Sequence, residues 1–390
     1  MTPYDSEILR QAALIDEQDT DATKAEQTKP AEPPPFTRLL SGADLLALDL
    51  KSQFLVKNVL VDRQPCIIGG RSKVLKTSLA IDLALSLGSG TPFLGRFDAQ
   101  QVAVGFWSGE SGAATIRETA LRIAEIKGVK LADCSVQWCF DLPRLSRDVD
   151  LDWLGDVIRG EGLRVAFLDP LYLALLTPET AGGASNVFLM GSMLQGLTKL
   201  GQDTGCTLAL NHHFRKGGQP DDENPCGLEE LAQSGVAEWA RQWLLLQRRV
   251  PYQGDGQHLL WLRCGGSAGH SSLWGLTIDE GTLNPDTFSG RTWQVNVAPA
   301  ADAREETKRD RENRKAAEQE RRDGEHRAKV LRVLRTFAGG NTERALAKAA
   351  DVNPTIFGRT IFALLQEDRA VQCEVTKNGV TYEGWKPTGK

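Results

Sequence analysis

Methionine, tyrosine and histidine are scarce: the 390-residue chain has three, four and five of them. Two of the five histidines are adjacent, His212 and His213, so the pair stands out before any motif is sought. The seven cysteines form no C-x-x-C pair, which argues against a disulfide framework or a clustered zinc module. With no signal peptide at the N-terminus, they are expected as reduced thiols in the cytoplasm. No apolar run approaches the ~20 residues that a membrane-spanning helix needs. Positive charge is not in excess either, since the formal net charge is −5. That excludes a basic coat for nucleic acid and leaves any such contact to local patches.

The chain does have a phosphate-binding loop in the right surroundings. Pro65-Cys66-Ile67-Ile68-Gly69 is short and apolar, as a buried parallel strand should be, and Ser78 to Leu87 carries apolar residues at mostly helical spacing. Between them Gly70, Arg71, Ser72, Lys73, Val74, Leu75, Lys76, Thr77 and Ser78 match G-x-x-x-x-G-K-[ST] at all but one position. Backbone N–H groups from Gly69 onward, together with the helix N-terminus, form a cradle for the phosphates of ATP. Lys76 is placed to reach the β- and γ-phosphates, and the Thr77 hydroxyl to ligate Mg²⁺. Lys73 either helps neutralise phosphate or is a solvated surface lysine. Leu75 stands where the motif has glycine. A leucine is expected in an ordinary backbone conformation, which would remodel the loop slightly.

Three further apolar strands end in polar residues. Leu163 to Leu168 runs into Asp169, the Walker B pattern, whose acid holds Mg²⁺. Val102 to Trp107 runs into Ser108-Gly109-Glu110. Strand C-termini are where open α/β sheets bind ligands, so Glu110 is either the general base that activates water or a helix-capping or surface acid. Cys206 to Leu210 leads into Asn211, His212 and His213. These either contact the γ-phosphate and report its loss, or form a structural pair, or ligate zinc.

Taken together, GGRSKVLKTS, SGES, AFLDPL, LNHHFRKGG and AQSGVAEWARQW resemble the RecA-like superfamily, in particular the RepA-like branch of hexameric replicative helicases and its AAA-type relatives. The resemblance covers about residues 40–285. It implies ATP hydrolysis with Mg²⁺, Glu110 as catalytic base, His212 and His213 behind the γ-phosphate, and a homo-oligomer, a hexameric ring. It also implies an arginine finger presented to the neighbouring subunit by Ser234 to Arg241. Arg241 is the candidate, with Arg248 and Arg263 behind it. Loops lining the pore of such rings grip single-stranded DNA, which makes Arg215 and Lys216 candidate phosphate contacts.

The expected organisation follows from composition. Residues 1–36 are polar and proline-rich and are expected to be disordered. Residues 37–60 hold a linker helix, Ser41 to Leu50. Residues 61–297 alternate strands and helices, an α/β core with a mostly parallel sheet, closed by strands joined through turns. Residues 298–327 are dense in both charge signs and are expected as a solvated helix or flexible linker. Residues 328–390 read as three helices followed by a hairpin around Asn378-Gly379, a pattern that resembles a winged helix-turn-helix. Its DNA contacts would be Arg359 on the third helix and Lys377 in the wing; the competing reading is a protein-interaction wing. The functions in view are a DNA helicase, an ATP-switched regulatory or assembly protein, and a recombinase or defence-system ATPase.

Overall fold

The computed structural model describes residues 41–47, 52–175, 187–215, 225, 227–233 and 235–388. The expected N-terminal tail, the segment 177–186, Lys216 and much of the loop that follows it lie outside the described residues. The chain divides into two compact units, Met1–Ser52 and Gln53–Lys390. In the first, helix α1 (Gly42–Ala47) begins with Ser41, whose hydroxyl accepts from the Asp44 N–H at 3.2 Å while the Asp44 carboxylate accepts from the Ser41 N–H at 3.0 Å. This reciprocal cap satisfies two otherwise orphaned donors.

The second unit is built on a nine-stranded sheet. A small antiparallel pair, β1 (Phe54–Val56) and β2 (Leu60–Val61), precedes it. Six strands run parallel: β3 (Cys66–Gly70), β4 (Val104–Ser108), β5 (Val136–Cys139), β6 (Val165–Asp169), β7 (Thr207–His213) and β8 (Gln242–Arg248). Three antiparallel strands extend one side: β9 (Gln257–Gly266), β10 (Ser271–Gly281) and β11 (Arg291–Pro299). The spatial order is β11-β10-β9-β8-β3-β7-β6-β4-β5, which puts β3 and β7 at the centre. The expected α/β core is observed: a mostly parallel sheet flanked by helices, consistent with a RecA-like P-loop core.

Both faces of the sheet's centre are covered, which is why β3, β4, β6 and β7 are buried runs rather than alternating strands. Helices α2 (Lys76–Ser89) and α3 (Ala113–Lys127) cover one face, where Ile68, Phe106 and Phe167 join Leu79, Leu83 and Ile123. On the other face Ile67, Ala166 and Leu168 meet Leu154 and Ile158 of α4 (Asp148–Gly160) and Met193 and Leu197 of α6 (Val187–Thr204). The short α5 (Leu171–Leu175) follows β6 directly, and α7 (Val236–Trp239) leads into β8.

The charged segment is helical and does not stop at a domain boundary. Helix α8 (Ala300–Thr336) runs unbroken for 37 residues, about 55 Å. Its start is held to the sheet by Arg249, a buried guanidinium that donates to the Ala303 carbonyl at 3.0 Å and to Glu306 at 2.8 Å. Its middle is mostly exposed and stabilised by turn-to-turn ion pairs, Arg321 with Glu318 and Glu325, and Arg322 with Glu318. Its end buries Val330, Val333 and Leu334 against Leu346 of α9 (Glu343–Ala349) and Phe357, Ile361 and Leu364 of α10 (Pro354–Gln366). The Asn353 side chain accepts from the Ile356 N–H at 2.8 Å and Pro354 takes the first helical position, as an N-cap followed by proline should. A three-stranded sheet completes this part: β12 (Asn341–Thr342), β13 (Ala370–Lys377) and β14 (Val380–Pro387). The β13–β14 turn places Asn378 at φ 53° and Gly379 at φ 78°, the two left-handed positions a tight hairpin requires. Among the described residues no helix is both long and apolar enough to cross a membrane.

Candidate nucleotide site

The sheet's strand order decides what meets at its C-terminal end. β3 lies between β7 and β8, with Gly69 opposite His212 and Gly70 opposite His213. β7 therefore runs through the histidine pair, three residues further than the apolar run predicts, because β3 supplies pairing partners to Gly70. At Gly69 and Gly70 the neighbouring strand β8 approaches closely. A Cβ would lie 2.6 Å from the Leu245 side chain at the first and 2.8 Å from the Leu246 carbonyl at the second.

The loop from Arg71 to Leu75 then turns into α2. Leu75 sits at φ 66°, ψ 27°, and Lys73 at φ 58°, both left-handed. The expectation that leucine would take an ordinary conformation is therefore wrong. Leu75 adopts the backbone that the motif's glycine would adopt, and the loop keeps its shape at the cost of local strain. Its side chain is partly buried against the main core, which offsets that cost. No side chain caps the start of α2, so its first N–H groups are available to an anion.

Lys76 is buried, and its ammonium donates to the Gly70 carbonyl at 3.0 Å and the Arg71 carbonyl at 2.7 Å. It also lies 3.2 Å from His213 Nδ1. Since the ammonium is a donor, that nitrogen accepts, and the His213 proton belongs on Nε2. Burial pushes Lys76 down to about 8, against the pull of the Asp169 and Glu110 charges. Burial and the Lys76 charge also hold His213 below the usual histidine range, with Glu110 opposing. The Tyr172 ring stands 5.6 Å from the His213 ring.

Thr77 Oγ1 donates to Asp169 Oδ2 at 2.7 Å. Asp169 is buried, and burial raises its pKa although Thr77, the neighbouring Asn211 amide and the Lys76 charge all favour the carboxylate. A buried acid in this condition gains from a cation beside it. Glu110 lies exposed two residues beyond β4, whose last residue Ser108 pairs with Asp169. Its charge acts to raise the pKa of Lys76, Asp169, Tyr172 and His213, so it lies within electrostatic reach of the same site. His212 faces away from the loop. Its Nε2 donates to the Ala232 carbonyl at 2.7 Å, and burial holds it down at about 4, so it is neutral at physiological pH.

The candidates separate into those the fold brings together and those it does not. Gly69 to Ser78, Glu110, Asp169 and His213 converge at one end of the sheet. Arg241 is at the opposite end: it immediately precedes β8, and its N–H bonds the Pro65 carbonyl at 3.1 Å just before β3. Arg248, at the far end of the same strand, reaches the phosphate loop of its own chain. Its guanidinium donates to the Lys73 carbonyl and to His258 Nδ1, and lies 5.1 Å from the Tyr252 ring centre. Sequence gave Arg248 no such part, because only strand pairing reveals that it neighbours the loop. Arg263 donates to the Pro225 carbonyl at 3.0 Å. Arg215 is exposed and 3.6 Å from Glu230. Arg359 is paired with Asp323, and Lys377 is exposed at the hairpin turn.

Beside the loop lies a cleft of about 350 Å³, lined by Arg71, Ser72 and Val74 on one side and Gln247 to Pro251 on the other. Phosphate loop, buried lysine, Thr–Asp pair and strand-end glutamate together can bind a nucleoside triphosphate and direct water at its terminal phosphate. Comparison with known proteins agrees at that level. A family model described as an AAA domain matches residues 30–219, a little under half of the chain, which include Gly69 to Ser78, Glu110, Asp169 and His213 but not Arg248. No curated protein sequence matches the chain. The chain thus carries a nucleotide-binding domain similar to those of the P-loop ATPases.

Proposed function

We propose that the protein is a ring-forming ATPase motor acting on DNA, of the kind represented by RepA-like replicative helicases of plasmids or mobile elements. The observation that carries the reading is the convergence of Lys76, the Thr77–Asp169 pair, Glu110 and His213 on one phosphate loop. Phosphates of ATP take the place that the Gly70 and Arg71 carbonyls hold on Lys76, and the base and ribose extend into the adjoining cleft. Thr77 and Asp169 would hold Mg²⁺, which supplies charge neutralisation on the phosphates. Glu110 accepts a proton from the attacking water as its oxygen bonds to the γ-phosphorus; the bond to the bridging oxygen breaks and ADP leaves. His213, coupled to Lys76, registers whether the terminal phosphate is present.

Arg241 lies a strand's length, about 16 Å, from its own phosphate loop. In the ring reading it would stabilise the transferring phosphate of a neighbouring subunit, within a homo-oligomer taken as a hexameric ring. Arg215 and Lys216 would face single-stranded DNA in the pore. The C-terminal part would act as a winged-helix module.

The second reading is an ATP-switched assembly or regulatory protein. It is favoured by α10, where Arg359 is tied to Asp323 and Phe362 is 61% exposed, a surface better suited to protein than to DNA. The test is steady-state ATP hydrolysis with and without single-stranded DNA, alongside Lys76→Ala. The motor requires turnover stimulated by DNA and abolished in the variant, followed by strand displacement. Slow turnover indifferent to DNA would overturn it in favour of the switch.

A further inference from the structure

The positive charge of the C-terminal part does not lie where a winged helix would be expected to carry it. Helix α10 offers Arg359, already paired with Asp323, and is followed by Glu367 and Asp368. A different face is basic. The last turns of α8 and the residues after α10 enclose an open groove of about 670 Å³ that includes Arg327, Arg332, Arg335 and Arg369, with Glu367 the single acid in its lining. Glu367 bonds Arg327 at 2.7 Å and lies 3.7 Å from Arg369. Arg332 and Arg335 are exposed and have no acidic partner among the described residues.

Three properties identify the ligand. From Arg327 to Arg335 the helix rises about 12 Å, so the arginines are spread along the groove rather than gathered at a point. All four cations are arginine, whose planar fork binds phosphate through two parallel hydrogen bonds. No aromatic side chain lines the groove, so it offers no platform on which unpaired bases could stack. A row of arginines without aromatics suits the closely spaced phosphates of a duplex, with about one charge per 1.7 Å of axis. We infer that this groove is a second nucleic-acid site, one that takes the phosphate backbone of duplex nucleic acid along the C-terminal turns of α8. It goes beyond the motor reading and does not depend on it, since the ATP chemistry lies on another part of the molecule.

The test is anisotropy of a labelled DNA duplex with the full chain, without nucleotide, across a salt series. Arg332→Glu/Arg335→Glu should weaken binding at least tenfold, and the slope of log affinity against log salt should fall by about two. Arg332→Lys/Arg335→Lys should keep most of the affinity, and Arg359→Glu/Lys377→Glu should change it less than about threefold. Arg332→Gln/Arg335→Gln, checked for folding by circular dichroism, stands in if the glutamate pair misfolds. Absence of duplex binding by the unaltered chain overturns the inference. So does loss confined to the Arg359/Lys377 variant, or a groove that answers to acidic polypeptide but not to duplex. Hydrolysis and strand displacement are not read here, so failure of the motor reading would leave the result standing.

Discussion

Leu75 makes a quantitative test of the phosphate loop possible. Its left-handed backbone costs a leucine roughly 1–2 kcal/mol, a cost glycine does not bear. The partly buried side chain returns about 1 kcal/mol of hydrophobic contact. Leu75→Ala removes the contact and keeps the strain, so it should destabilise by about 1 kcal/mol. Leu75→Gly removes both and adds roughly 0.5–1 kcal/mol of unfolded-chain entropy, leaving it within about 1 kcal/mol of the unaltered protein. From the midpoints of those ranges the glycine variant should be more stable than the alanine variant by about 0.75 kcal/mol, the reverse of the order inside an ordinary helix. Leu75→Ile should be the least stable of the three, because a β-branched side chain is poorly tolerated at positive φ. Urea unfolding followed by tryptophan fluorescence reads the order directly, provided the slopes match. Nucleotide affinity of Leu75→Gly should stay within a few-fold, since the backbone already has the glycine shape. An alanine variant as stable as the glycine variant, or more so, would refute the argument.

The remaining predictions concern the charges around the phosphates. Glu110→Gln should keep ATP binding within a few-fold and lower turnover by at least about 10²-fold, since only the proton acceptor is lost; a rate within tenfold of the unaltered protein would return Glu110 to a surface role. Burial lowers Lys76 from 10.5 to about 8, so both folded and unfolded chains hold its proton below pH 8, and the folded protein bears the full cost there. Between 8 and 10.5 the unfolded chain binds more protons, so the nucleotide-free protein should gain stability as pH rises through that window, about 3 kcal/mol in all. Phosphate restores the ammonium, so ATP binding near pH 8 should take up about half a proton, measured as a dependence of binding heat on buffer ionisation enthalpy. Equal heats in all buffers would count against Lys76 as the phosphate ligand.

The parts of this protein legible in its sequence are those encoded by contiguous residues. The central parallel strands are apolar runs because both sheet faces are covered there, and such runs survive inspection without a structure. Asn353-Pro354 and Asn378-Gly379 gave a helix start and a turn for the same reason, since each needs only its immediate neighbours. Lys76, Thr77 and Asp169 were legible as motif members. What escaped depends on which strands become neighbours. The conformation of Leu75 escapes because it is set by the loop between β3 and α2, not by its own preference, and core contact offsets part of the strain. Arg248 looked like one of several spare arginines until β8 paired beside β3 and brought it to the Lys73 carbonyl.

The C-terminal part extends that reasoning to charge. Arg359 was a sensible choice on the third helix, yet α8 continues unbroken past the expected boundary and brings Asp323 to it. The same continuity brings Arg327, Arg332 and Arg335 to one groove and sets them beside Arg369, whose approach depends on α9 and α10 folding back. Local charge density along the sequence therefore misplaces the basic surface. In the middle of the helix Glu318 and Glu325 pair with Arg321 and Arg322, while Arg332 and Arg335 in its last turns have no acidic partner among the described residues. A nucleic-acid contact in this part of the chain should follow the unpaired cations, not the helix that a winged-helix analogy would select.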